Sequence, residues 1–170
     1  MSLTLAALPA RAEDDTVERV VAMVEDTPIL LSQVQRRAAP YVRQGAPQRD
    51  IYNQLVSKLI DERLLSDHAE AQSIRVTTDE IDKALESVAE TQDQSVAELL
   101  EAVAEATGLS EADYRGELRR TILQYRVLSY EIADLSPDPA VAARQLAEAE
   151  QKLMKRLHAE HYVRVHVRFE

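Results

Sequence analysis

The chain contains no cysteine, a single phenylalanine and only three glycines among its 170 residues. Without cysteine there is no thiol nucleophile, and the composition suits an oxidising compartment in which stray thiols are a liability. With so little glycine there is neither a GxGxxG nor a P-loop pattern to let the backbone approach a phosphate, which excludes nucleotide binding of those kinds. No serine sits in a nucleophile-elbow context. Few glycines, six prolines and one Phe also argue against a turn-rich, aromatic-rich sandwich or barrel. No run approaches the ~20 apolar residues that a membrane span requires.

What is present is alanine, leucine, glutamate, glutamine and arginine, with 45% of residues hydrophobic, enough for one helical domain with one core. The net charge of −10 is local. Val76 to Asp113 carries 11 acids against the lone Lys83, while the remaining 19 basic and 19 acidic residues balance. An acidic lobe of this kind repels phosphates, so nucleic acid is not an expected partner, and solvated helix faces account for the charge.

At the start, Leu3 to Ala12 reads as an apolar stretch, a proline and an Ala10-x-Ala12 cleavage pattern, the back half of a secretory signal. Residues 1–16 are therefore assigned to a leader and 17–170 to one exported domain. Val17 to Val24 is dense in β-branched residues and ends at the turn-like Glu25-Asp26-Thr27-Pro28, which predicts a strand, with Ile29-Leu30-Leu31 as a short return. Ser32 and Gln35 have the spacing of a capping box for a short helix that Pro40 kinks or ends. Arg49 to Gln72 predicts a long helix with an apolar stripe wide enough to be buried on both sides, the central element.

Thr77 with Glu80 and Ser95 with Glu98 mark two further capped helices, Gly108 is a left-handed stop, and Ser110 caps a long helix to about Asp134. Along that helix Tyr114, Leu118, Ile122, Tyr125 and Ile132 hold inward spacing. Leu135-Ser136-Pro137-Asp138-Pro139 breaks the chain before a last helix from about Ala140 to Glu160. The period then changes to two. Val163, Val165, Val167 and Phe169 alternate with Tyr162, Arg164, His166 and Arg168, a strand with one apolar face. Isolated strands are unstable, so the two terminal strands are expected to pair. The fold class is mainly α, a helical body over 32–134 closed by a helix and strand over 140–170, with a small antiparallel sheet formed by the two ends.

Chemistry-bearing constellations are sparse. His158-Ala159-Glu160-His161 places two imidazoles on one helix face, but it is not HExxH and lacks a third ligand, so a helix terminus favouring histidine is the better reading. Of the six tyrosines, most are expected in the core or half-buried, Tyr114 and Tyr125 within the packing stripe. No catalytic, cofactor or metal residues are assigned.

Val20 to Asp26 with Ile29-Leu30, the run Leu55 to Leu65, Val76 to Asp82 and Tyr114 to Arg120 occur in an order and spacing that resemble the N-terminal region of SurA-type periplasmic chaperones. The likeness covers about Val17 to Asp134, and Leu153 to Val167 is similar to the closing segment of that family. There, parvulin prolyl isomerase domains are inserted between the two parts. Here only Leu135 to Pro139 separates them, too little for a domain of roughly 90 residues. No isomerase residue carries over.

The resemblance implies a periplasmic holdase without catalysis, binding unfolded or nascent exported polypeptides such as outer-membrane protein precursors in an apolar crevice between helices and sheet. Candidate peptide-binding residues are Tyr52, Val56 and Ile60 on the wide stripe, with Tyr125, Leu128 and Ile132 on the later helix. Two alternatives stand beside it: an assembly module, a homodimer exchanging terminal segments about the Leu135–Pro139 hinge, and a truncated parvulin enzyme in which Tyr162 to Phe169 is the first strand of the isomerase.

Overall fold

The computed structural model describes residues 18–169, so the leader assigned to 1–16 lies outside the described residues. Within them the chain runs β1 (Val20–Val24), β2 (Thr27–Leu30), α1 (Leu31–Arg43), α2 (Gln48–Ala71), α3 (Thr78–Thr91), α4 (Val96–Thr107), α5 (Glu111–Tyr130), α6 (Pro139–Glu160) and β3 (Val163–Val165). The sheet order is β2-β1-β3, both pairings antiparallel. The two ends do pair: Val24 lies opposite Val163 and Ala22 opposite Val165.

The helix starts follow from side-chain chemistry. Thr77 N–H donates to Glu80 Oε2 at 2.8 Å while Thr77 Oγ1 accepts from the Glu80 amide, and Ser95 with Glu98 repeats the exchange. Ser110 Oγ accepts from the Asp113 amide, and Asp138 Oδ1 from those of Ala140 and Val141. Each such cap stabilises its helix by about 1 kcal/mol. At the end of α4, Gly108 takes φ +72°, and the Arg43 guanidinium lies against it and donates to Thr107 O at 3.0 Å.

Several boundaries differ from expectation. α1 begins two residues early because β2 runs straight into it: Leu30, not Ser32, holds the cap position and its N–H donates to Gln33 Oε1, so Ser32 and Gln35 are not the box. Pro40 neither ends α1 nor stops its C-terminal turn, which continues to Arg43 and returns the Gln44 N–H to Pro40 O. α5 stops at Tyr130 and leaves Ile132 half-buried beyond it. β3 is three residues long, and Val165, expected on the covered face, is 46% exposed, because α2 packs beneath β1 and β2 while β3 forms the outer edge. A register irregularity in β1 between Val20 and Ala22 leaves Val21 and Ala22 both fully buried, and Val21 O accepts from the amides of His166 and Val167.

α2 is the central element, with Tyr52, Leu55, Val56, Ile60, Leu64, Leu65 and Ala69 buried between α1, β1, α5 and α6. Instead of one core there are two apolar clusters. The larger joins the sheet, α1, α2, the end of α5 and Leu153 and Leu157 of α6; the smaller joins Val76, Ile81, Leu85, Ala89 and Leu99 to the first half of α5. Leu123 packs against both. The smaller cluster is the interior of the acidic lobe, and arginines on α5 hold that lobe in place. Arg115 pairs with Asp82, Arg126 with Glu80, and Arg119 donates to Val76 O at 3.1 Å.

Candidate functional site

α2 shows one long side to solvent between the lobes, and there the structure opens a trough in two adjoining parts. One, of about 530 Å³, lies between α1, α2 and the start of α5, with Pro40, Tyr41, Leu55, Leu59 and Tyr114 among its walls. The other, of about 440 Å³, continues between β2, α2, α5 and α6, with Pro28, Ile29, Leu65, Leu123 and Met154. Leu59, Lys58, Glu62, Glu117 and Arg120 line both.

The shared stretch is a ring of alternating charge. Arg37 of α1 pairs with Glu62 of α2 and, at 3.1 Å, with Glu117 of α5; Arg120 reaches Glu117 at 2.6 Å and comes within 3.7 Å of Glu62. Desolvation works against the Arg37 charge, but the hydrogen bond and charge of Glu62, with the charges of Glu117 and Tyr41, outweigh it and raise its pKa. The ring ties three helices together across the trough floor. Arg120 Nε is buried without a hydrogen bond and faces Glu62 Oε2 at 3.7 Å.

The six residues expected to bind peptide are placed elsewhere. Tyr52, Val56, Ile60 and Leu128 come together in the larger core at 8%, 4%, 4% and 5% exposure, closed off while the helices and sheet stay packed. Tyr125 stands on the surface of α5, 54% exposed, and Ile132 lies past the helix end. None of the six lines the trough. Leu55 and Leu59, which do line the trough, belong to the same wide α2 stripe but lie on a neighbouring face from Tyr52, Val56 and Ile60. The tyrosines also depart from expectation: Tyr41, Tyr125, Tyr130 and Tyr162 are exposed, and Tyr125 is outside the packing stripe.

The histidines serve as tethers of the closing segment. His158 Nε2 meets Asp61 Oδ1 at 2.7 Å, and His161 Nδ1 meets Glu25 Oε1 at 3.1 Å, so the two rings are drawn to different carboxylates. Glu25 also accepts from the Tyr162 N–H at 3.0 Å, and that bond, with the one to His161, lowers its pKa. At the far end of α2, Glu131 is pulled up by desolvation but lowered on balance by Arg156 and His68. Among the described residues no group of three His, Asp or Glu side chains is placed to hold a metal ion, and no helix is long and apolar enough to cross a membrane.

The structure is thus a helical body closed by its own first and last strands, with a mixed apolar and charged trough along its central helix. The chain belongs to the SurA N-terminal domain family, whose profile matches residues 17–128. It is 34% identical over 125 residues to the Chaperone SurA of Cupriavidus metallidurans, covering 68% of this chain and 25% of that protein. The corresponding protein of Cupriavidus pinatubonensis is 32% identical over 123 residues (68% and 24%), and that of Pseudomonas syringae pv. tomato 30% over 125 (69% and 29%). The chain thus spans about a quarter of the length of these relatives. The family match ends within α5, so α6 and β3 lie beyond it.

Proposed function

We propose that this chain is a polypeptide-holding core of the periplasm, which shields unfolded exported polypeptides, outer-membrane protein precursors among them, without catalysis. The observation that carries this reading is the trough. Leu55, Leu59, Ile29, Leu123 and Met154 offer apolar contact that any sequence can use, while the ring of Arg37, Glu62, Glu117 and Arg120 offers donors and acceptors to a passing backbone. Affinity for clients is expected near micromolar, or about 8 kcal/mol. Between α5 and α6 there is only a short bend, pinned by Gln145 to Ser136 N and Asp134 O, so the isomerase insertion of the wider family has no place there.

The test is suppression of aggregation: an unfolded outer-membrane protein diluted from urea should scatter less light in the presence of the chain. Leu59→Glu, which places a charge on the shared floor, should abolish the effect without lowering the melting temperature by more than a few degrees. An undiminished effect in that variant removes the trough from the account.

A further inference from the structure

Beyond Val165 the chain leaves the regular ladder, and only the amides of His166 and Val167 still reach β1, both at Val21 O (2.9 and 3.3 Å). It then crosses to the N-terminal half of α2. There Phe169 N–H donates to Asn53 Oδ1 at 3.0 Å and Asn53 Nδ2 donates to Phe169 O at 2.9 Å. One carboxamide thus takes both backbone groups of one residue, the pair of bonds that a neighbouring antiparallel strand would supply, and it does so without reading the side chain. The side chain is read next door. The Phe169 ring meets Tyr52 edge-on, with centroids 4.9 Å apart and planes at 88°, an arrangement that aromatic quadrupoles favour.

A backbone-reading amide beside an aromatic wall is the elementary layout of a site for one aromatic residue in an extended chain. In this structure its occupant is the chain itself. The segment that fills it is lightly held: Arg164, His166 and Arg168 are exposed, and Val167 and Phe169 are only half-buried against the core. Segments with few buried contacts are the first to open. We propose that Tyr52 and Asn53 form a subsite for an extended polypeptide carrying phenylalanine, and that His166–Phe169 occupies it as a displaceable strap with which an incoming chain competes.

This inference rests on the polypeptide-binding reading only for the class of ligand. The subsite is separate from the trough, since neither Tyr52 nor Asn53 lines it. It also explains why Tyr52 is buried while belonging to a site: the strap covers it.

The test uses the full chain and a fluorescein-labelled hexapeptide, Arg-Val-His-Val-Arg-Phe amide, followed by fluorescence anisotropy. Phe169→Ala, which vacates the ring position, should bind the probe at least tenfold more tightly than the unsubstituted chain. A probe ending in alanine should show no such gain, and adding Asn53→Ala should cancel it. Equal binding by Phe169→Ala and the unsubstituted chain, or equal gain for the alanine probe, overturns the proposal. Should Phe169→Ala fail to fold, hydrogen exchange on the unsubstituted chain decides: saturating probe should speed exchange of the 166–169 amides and leave Val163–Val165 protected, whereas unchanged exchange overturns the strap. Leu59→Glu separates the two readings, because it spoils the trough and should leave probe binding intact. Displacement without aggregation suppression defeats the holdase reading alone, and suppression without displacement defeats this one alone.

Discussion

Leu153 sits in the middle of α6, 1% exposed, inside the cluster that α6 shares with α2 and the sheet. Replacing it with alanine deletes a buried isobutyl group and leaves a cavity that packed helices fill only in part; at such sites the loss is about 2.7–5 kcal/mol. Against a total stability of about 5–15 kcal/mol this is a large fraction. For a chain of this length each kcal/mol moves the melting temperature by about 2–4 °C, so a loss near 3 kcal/mol predicts a drop of about 6–12 °C. Leu146, half-buried on the same helix, provides the scale: its alanine variant should lose about 1 kcal/mol or less. Circular dichroism melts of both variants suffice. If Leu153→Ala melts within about 2 °C of the unsubstituted chain, or if α6 melts in a separate earlier transition, the closing helix is not part of the cooperative unit and the reasoning fails.

Gly108→Ala should destabilise by at least about 1 kcal/mol, because a side chain is strained at φ +72° and its Cβ would fall 2.1 Å from Arg43 Nη2, displacing the guanidinium that caps α4; a melt unchanged from the parent would contradict this. Glu62→Gln removes one charge from the ring while leaving Arg37 largely buried, and should cost about 1–3 kcal/mol in urea titrations, more than Glu111→Gln at the exposed Arg115 pair. Glu80 is held from an ordinary 4.5 down to about 2 by Arg126 first and by Thr77 next. A carboxylate depressed in the folded state stabilises above its ordinary pKa and loses that contribution as pH falls through the folded value. The α3 start should therefore loosen between about pH 4.5 and 2, visible as faster exchange of the Thr77 and Glu80 amides, and Arg126→Gln should move that window upward.

Features that depend on neighbours in sequence were legible. Thr77, Ser95, Ser110 and Gly108 announce their helix ends because each acts on backbone groups three or four residues away. The two-residue alternation after Tyr162 announced a strand, and the need of two lone strands for partners announced their pairing. Features that depend on distant neighbours were not. Leu30, rather than Ser32, holds the α1 cap because β2 enters the helix without a linker. Val165 is exposed because of where α2 stops supporting the sheet. The ring of Arg37, Glu62, Glu117 and Arg120 joins three helices, and single charged residues on separate helices carry no sign of meeting. The apolar stripe of α2 was legible, yet periodicity does not say which of its faces is covered by other helices and which borders the trough.

The most direct test of the proposed trough is site-specific photocrosslinking. Tyr41 lies on the trough wall at 48% exposure, and Tyr130, away from it, is more exposed still at 69%. A benzoylphenylalanine placed at each position differs little from the tyrosine it replaces. With an unfolded outer-membrane protein as client, irradiation should give adducts at position 41 that fade when Leu59 is changed to Glu, and few at position 130. Equal or stronger adducts at position 130 would show that clients follow exposure and not the trough, and would contradict the account.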